Sequence, residues 1–282
     1  MDESAAFSHL WHARVSYLLN REQIGHLLIK GATWSDAFDV GRPQSADVDV
    51  LIAPGQHERA VSSLQDSGLP LAFADWSPAE LAEHAVTLQA PAGPQVDVHS
   101  RYPGLDHDPA STWQYLVNCA SGTSIAHAAT RRLDDSAQAL LAAVSAARDG
   151  RGSWSARRVA RWTGDWAPVA DAARALGASP ALRAGLEAAS LGATADRLSL
   201  PPATDRWTPS DSPWGTARLA DIAAMPLLAR GRAVLRELWP TRGFLREVYP
   251  SRSLSAARAA HVSRLLRGFI PALRALRRHR RN

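Results

Sequence analysis

The stretch Ala46-Asp47-Val48-Asp49-Val50-Leu51-Ile52 constrains this chain more than any other. β-Branched and apolar residues crowd it and the turn Pro54-Gly55 closes it, which predicts a β-strand. Side chains alternate along a strand, so Asp47 and Asp49 share one face while Val48 and Val50 share the other. Two carboxylates side by side repel each other unless something positive lies between them. A hard divalent cation, Mg2+ above all, held together with phosphate oxygens and water, meets that need. A half-exposed antiparallel strand with two aspartates on its wet face is the rival reading, and the pair alone does not separate the two.

Composition narrows the setting. At 282 residues, 46% hydrophobic and 21% charged, the chain has material for one large globular domain or two ordinary ones. Its single cysteine, Cys119, is read as a packing residue; it excludes an internal disulfide framework and a Cys-rich metal site and fits a reducing cytoplasm. No apolar run nears the roughly 18 residues of a membrane span and no secretory leader is recognised, so a cytoplasmic protein without a membrane partner is expected. The net charge of +5 gathers in Arg274 to Arg281, where a frayed, solvated helix end is a commoner reason than nucleic acid. Lys30 is the only lysine among the 32 Lys+Arg residues, and its place beside a glycine points to a use for a compact ammonium charge.

Residues 4–20 read as an amphipathic helix capped by Ser4, with Phe7, Leu10, Trp11, Val15 and Leu18 at helical spacing and with His9 and His12 at its surface or boundary. Ile24 to Lys30 has a buried-strand pattern and runs through Gly31-Ala32-Thr33 into a short helix from Thr33 to Phe38. Backbone N–H groups and a hydroxyl at such a helix start form an anion site suited to a triphosphate. It is neither a Walker loop nor a dinucleotide fingerprint. A helix over Gln56 to Ser67 stopped by Gly68, a short strand over Leu69 to Ala74, and a hairpin pairing Ala85–Gln89 with Gln95–His99 follow. In its second arm Val96 and Val98 take one face, Asp97 and His99 the other. Three aspartates on two neighbouring strands can hold two Mg2+ ions roughly 3.5–4 Å apart. One ion would seat a nucleoside triphosphate (NTP); the other would lower the pKa of an acceptor hydroxyl, with Asp97 serving that ion or taking the proton.

These parts together resemble the nucleotidyltransferase superfamily, the DNA-polymerase-β-like fold. Its signature is a Gly-Gly/Ala-Ser/Thr turn, an Asp-x-Asp strand and a later acidic residue, here Gly31-Ala32-Thr33, Asp47-Val48-Asp49 and Asp97. More narrowly, Lys30-Gly31, Arg42-Pro43 ahead of Asp47-Val48-Asp49-Val50-Leu51, and Val96-Asp97-Val98-His99 resemble a bacterial group usually labelled "uncharacterised nucleotidyltransferase". Members of that group often accompany natural-product, peptide-modification or surface-polysaccharide genes. The likeness covers residues 24–101 and continues more weakly over 130–200, through Asp165-Trp166, Ala172-Ala173 and Leu176-Gly177. Position 32 is Ala where the broader superfamily favours Gly. The resemblance implies that Thr33 touches a phosphate in the turn formed with Gly31 and Ala32, that Lys30 neutralises one, and that His99 faces the cleft beside Asp97. A histidine satisfied within the sheet is the equal alternative for His99, and His84 is a lesser candidate.

From Asp106 onward alanine, leucine and arginine dominate. Asp106-His107-Asp108-Pro109 is read as a helix cap rather than a further acidic pair. Helices are expected over 134–149, 155–163, 166–176, 181–191, 216–239 and 254–279, with no strand among them. A Pro/Ser-rich loop is expected over 199–214, pinned by Trp207 and Trp214. The ten tryptophans are read mainly as core anchors.

The expected architecture is therefore an α/β (α+β) nucleotidyltransferase-fold domain with a mixed sheet over 1–108, then an all-α domain over 109–282. The expected reaction moves a nucleoside monophosphate from an NTP to a hydroxyl or phosphate of a small-molecule or peptide acceptor and releases pyrophosphate. Asp47, Asp49 and Asp97 are its catalytic and metal-holding residues. A transferase acting on tRNA or protein, and a non-catalytic binding module on the same fold, are the alternatives.

Overall fold

Valine alternates with acid in two strands, and that alternation builds the sheet. The computed structural model describes residues 3–41, 47–72, 85–89, 93–203, 230–231, 245 and 253–263. The chain divides into two units, Met1–Ala72 with Glu83–Ala203 and Phe73–Ala82 with Thr204–Asn282. In the first unit, helix α1 (Glu3–Arg21) leads to strand β1 (His26–Leu28), strand β2 (Val48–Ile52), helix α2 (His57–Asp66) and strands β3 (Ala85–Gln89) and β4 (Gln95–His99). The sheet order is β1-β2-β4-β3. β1 runs antiparallel to β2, β4 parallel to β2, and β3 antiparallel to β4, so the sheet is mixed, as expected.

Val48, Val50 and Ile52 of β2 and Val96 and Val98 of β4 are buried in one cluster with Leu88, with Val15 and Leu19 of α1 and with Ala60 and Leu64 of α2. Burying each of these valine, leucine and isoleucine side chains contributes about 1.5–3 kcal/mol. Side chains repeat every two residues, so a slip of one position would drive Asp49 and Asp97 into this cluster. The apolar face thus holds the acids on the opposite one.

Local differences from the sequence reading have physical causes. α1 begins at Glu3, so Ser4 lies inside its first turn instead of capping it. The segment after β1 forms two 3-10 turns, Gly31–Thr33 and Asp36–Phe38, in place of one helix from Thr33 to Phe38. Phe38 is fully buried between Trp34, at 5.4 Å, and Trp162, at 6.4 Å, and this aromatic packing holds the chain between the turns extended at Trp34 and Ser35. The strand expected over Leu69 to Ala74 is, in its described part, a single antiparallel bridge from Leu71 to Leu88.

Helix α3 (Pro109–Asn118) is capped by Asp108, whose carboxylate accepts from the backbone N–H groups of Ala110 and Ser111, as the sequence predicts. Beyond it lies an unexpected hairpin, β5 (Ala120–Ile125) paired with β6 (Ala128–Leu133). Small polar residues hide its alternation, and Ala126 and His127, with φ of 42° and 69°, make the turn without the Gly, Asn or Pro that marks one in sequence. It docks on α1, where Ser16 donates to Thr130 and Asn20 to the Ala129 carbonyl.

Helices then take over: α4 (Asp135–Asp149), α5 (Trp154–Arg161), α6 (Trp166–Ala175), α7 (Ser179–Ala188) and α8 (Gly192–Arg197). The first three match the expected spans within two residues. The span expected over 181–191 starts at Ser179, stops at Ala188 and restarts as α8 after Ser190, whose φ is 64°. α4 is almost entirely buried. α7 packs on it at Gly185, where an added Cβ would collide with the Ala143 carbonyl, so the absence of a side chain there allows the two backbones to touch. The fold class expected from the sequence, a mixed sheet with helices followed by a helical region, is the one observed.

In the second unit, residues 254–263 are helical, with Ala257 and His261 buried. The helix expected over 216–239 (apart from 230–231, which are helical), residues 264–279, the loop beyond 203, Trp207, Trp214, Arg274 to Arg281, Arg42-Pro43 and His84 lie outside the described residues. Among the described residues no helix is long and apolar enough to cross a membrane.

Two buried histidines tie this fold to pH. His12 of α1, expected at the surface or boundary, is fully buried, and His26 of β1 is nearly so. Burial holds both imidazoles below their ordinary value of 6.5. The unfolded chain then binds more protons than the folded one, so this stability is present above pH 6.5 and is lost as pH falls toward the lowered folded values. The urea midpoint is expected to drop between about pH 7.5 and about pH 5.5, and His26→Leu should flatten that slope.

Candidate active site

The parallel pairing of β2 with β4 places Asp49 directly beside Asp97. Their side chains leave the face opposite the valine cluster, and His99, two residues beyond Asp97, leaves the same face. One ligand atom from each of Asp49, Asp97 and His99 lies within 4.8 Å of the others, the group of described residues best suited to hold a metal ion. Asp49 is the hub. Its Oδ1 accepts from Lys30 Nζ at 2.9 Å and lies 3.1 Å from His99 Nε2. Lys30 reaches it because β1 is antiparallel to β2 and the Ile29 N–H donates to the Asp49 carbonyl. Asp97 has a separate support: Thr87, opposite it on β3, donates its hydroxyl to Asp97 Oδ1 at 2.6 Å.

The two acids differ electrostatically. Burial by itself would push both pKa values up. For Asp49 the hydrogen bond from His99 and the charge of Lys30 outweigh burial and hold the carboxyl well below the usual range. For Asp97 burial prevails, the Thr87 hydroxyl works against it and the Asp49 charge adds to it, so its pKa is raised. Burial likewise opposes the Lys30 ammonium, yet Tyr102 and Asp49 raise its pKa above the ordinary lysine value. The pair is one carboxylate whose charge is well supported beside one whose charge is disfavoured.

Asp47 stands two residues ahead of Asp49, just before β2, and is exposed; it is not one of the three converging donors. The Gly31-Ala32-Thr33 turn lies next to Lys30, but the Thr33 hydroxyl and the Ala32 N–H are engaged within the protein. Thr33 donates its hydroxyl to the Lys30 carbonyl at 3.0 Å. The Ala32 N–H points to His12 Nε2 at 3.4 Å, while His12 Nδ1 lies 2.7 Å from the Ser8 carbonyl and donates to it. This arrangement requires a neutral imidazole protonated on Nδ1. Gly31 has φ +68°, and a Cβ there would run into the His12 ring.

Three supporting residues escaped the sequence reading besides His12. Gln138 of α4 accepts from the Ser35 N–H at 2.9 Å and donates to the carbonyls of Leu133 and Thr33 at 2.7 and 3.3 Å. Replacing it with leucine should cost about 2–3 kcal/mol through buried backbone groups left without partners, and exchange of the Ser35 amide, followed by NMR, should accelerate. Tyr102, 2% exposed, bonds Ser145 and the Leu141 carbonyl of α4 and sets its ring 5.8 Å from Lys30 Nζ. Thr87 alone had a legible signal: pairing the hairpin outward from its turn brings Thr87 opposite Asp97. Cys119 is half-buried with its pKa raised by burial, consistent with an inert packing residue.

No protein-family model matches the chain, and no curated protein matches it. Among solved structures it is similar to the crystal structure of an antigenic nucleotidyltransferase-like protein from Paracoccidioides brasiliensis, at 14% identity and a TM-score of 0.40, over 72% of this chain and 97% of that one. A likeness of that size carries no weight for the reaction, which is read from the site. There the donor set fits a divalent cation: two carboxylates and an imidazole on paired strands, with no thiolate, and with one acid whose negative charge is disfavoured where it stands.

Proposed function

We propose that this chain is a divalent-metal-dependent nucleotidyltransferase that moves a nucleoside monophosphate from an NTP to a hydroxyl or phosphate of a small-molecule or peptide acceptor. The observation that supports this reading is the level pairing of Asp49 and Asp97 on adjacent parallel strands, with Lys30 at one side of the pair. In the reaction the acceptor oxygen forms a bond to the α-phosphorus, the bond from that phosphorus to the bridging oxygen breaks, and pyrophosphate leaves with the electron pair.

Each residue has a part. Asp49 and Asp97, with His99 beside them, would hold the metal, which when bound neutralises phosphate charge and acidifies the acceptor hydroxyl. Asp97, oriented by Thr87 and with its pKa raised, is suited to take the acceptor proton. Lys30, ion-paired with Asp49 and next to the Gly31 turn, is placed to neutralise a phosphate oxygen. Tyr102, held by Ser145 of α4, backs the lysine with its ring.

The test does not depend on which acceptor the protein uses. Saturating NTP with Mg2+ or Mn2+ should raise the melting temperature of the full chain for at least one base. Pyrophosphate should be released with a panel of hydroxyl and phosphate acceptors, and Asp97→Asn should release none. Absence of any metal–NTP shift and of pyrophosphate with all four NTPs would refute the assignment.

A further inference from the structure

We propose that Asp49, Asp97 and His99 form a mixed carboxylate–imidazole seat, with His99 Nε2 as a direct ligand, that takes a first-row transition dication such as Mn2+ in preference to Mg2+ or Ca2+. The proposal rests on the metal dependence of the proposed reaction and not on the group transferred.

Three observations lead to it. First, the strand alternation that buries Val96 and Val98 puts Asp97 and His99 on one face, and the parallel register sets His99 diagonal to Asp49. The imidazole is 5% exposed and its Nε2 points into the carboxylate group, 3.1 Å from Asp49 Oδ1. Second, Asp47, the residue that an all-carboxylate site would use, is exposed ahead of the strand and outside the 4.8 Å group. The two strands supply two carboxylates and an imidazole where Asp-x-Asp together with Asp97 predicts three carboxylates. Third, Asp49 already faces a cation: the single lysine of the chain has its ammonium 2.9 Å from Asp49 Oδ1.

Donor chemistry then selects the ion. Mg2+ demands a near-ideal octahedron, keeps several waters and binds through oxygen, so an imidazole at the seat adds little to its affinity. Imidazole nitrogen favours transition ions, and affinity for a mixed N/O site rises along the series that begins with Mn2+. A ligating His99 would carry its proton on Nδ1, with its ring beside Tyr102 at a centroid distance of 6.3 Å.

The test uses the full chain without nucleotide. Mn2+ binding is followed by the electron paramagnetic resonance signal of the free ion, with Mg2+ as competitor. Mn2+ should bind roughly 10-fold or more tightly than Mg2+. The bound ion should show the nitrogen modulation of a coordinated imidazole in pulsed measurements. His99→Gln should remove that modulation and weaken Mn2+ binding by roughly 10-fold while leaving Mg2+ affinity nearly unchanged. Equal affinities, no Mn2+ binding, or Mn2+ bound without nitrogen modulation would each overturn the proposal, and the wild-type spectrum decides it even if the variant fails to fold. Metal-dependent pyrophosphate release without nitrogen modulation would sink the seat alone. Nitrogen modulation without any response to an NTP would sink the transfer reading and leave the seat standing.

Discussion

Asp49→Asn and Asp97→Asn are expected to abolish nucleotide transfer alike, each by roughly 10^3-fold or more, and to move stability in opposite directions. Asp49 anchors Lys30 and His99 on one oxygen. Neutralising it leaves a largely buried ammonium without its counter-charge, a loss of about 2 kcal/mol for a charge-assisted hydrogen bond of this kind. Asp97 is in the reverse position. Its charge is disfavoured by burial and by Asp49, and an asparagine carbonyl there can still accept from Thr87. Asp97→Asn should therefore be more stable than wild type by something on the order of 1 kcal/mol, the usual relation of a strained functional group to the fold that carries it. Urea midpoints for the three proteins, read beside pyrophosphate release, check both signs. An Asp97→Asn variant less stable than wild type would show that its carboxylate is satisfied without a cation.

The second large effect is on folding. Gly31→Ala should destabilise the chain by about 3 kcal/mol, from a left-handed backbone that a Cβ disfavours and from overpacking against a buried ring. Gly31 has φ +68° and His12 lies directly against it. The two contributions can be separated. In a His12→Ala background the collision disappears and the backbone cost remains, so Gly31→Ala should then cost only about 1 kcal/mol. The coupling of roughly 2 kcal/mol is measured by a double-mutant cycle in urea. If the two losses simply add, His12 does not support the turn.

This cycle shows why parts of the site were legible in sequence and others were not. Asp49, Asp97 and His99 could be placed on one face because strand alternation is strictly two-residue and valine filled every other position. The hairpin that carries Thr87 announced itself through its turn residues. Sequence predicts one helix where the two 3-10 turns stand because local propensity says nothing of Trp162, which packs on Phe38 from more than a hundred residues away. His12 and Gln138 carried no local signal at all: a histidine in an amphipathic helix and a glutamine in an alanine-rich one become braces only when tertiary packing brings Gly31 and Ser35 against them. The β5–β6 hairpin was missed because Ala126 and His127 adopt left-handed conformations that composition does not advertise. Period and punctuation are written in the chain; contacts between distant segments are not.

Gln138 and Ser145 have a consequence for how this protein can be cut and recombined. Both belong to α4, and both reach back to hold segments that precede residue 108, one gripping the loop after β1 and the other the phenol of Tyr102. A fragment ending near residue 108 would keep every acid of the site and lose the scaffolding behind the lysine that pairs with Asp49. Grafting the aspartate-bearing strands onto another helical partner would transplant the letters of the motif without its geometry, unless that partner brought its own amide and hydroxyl to the same two places.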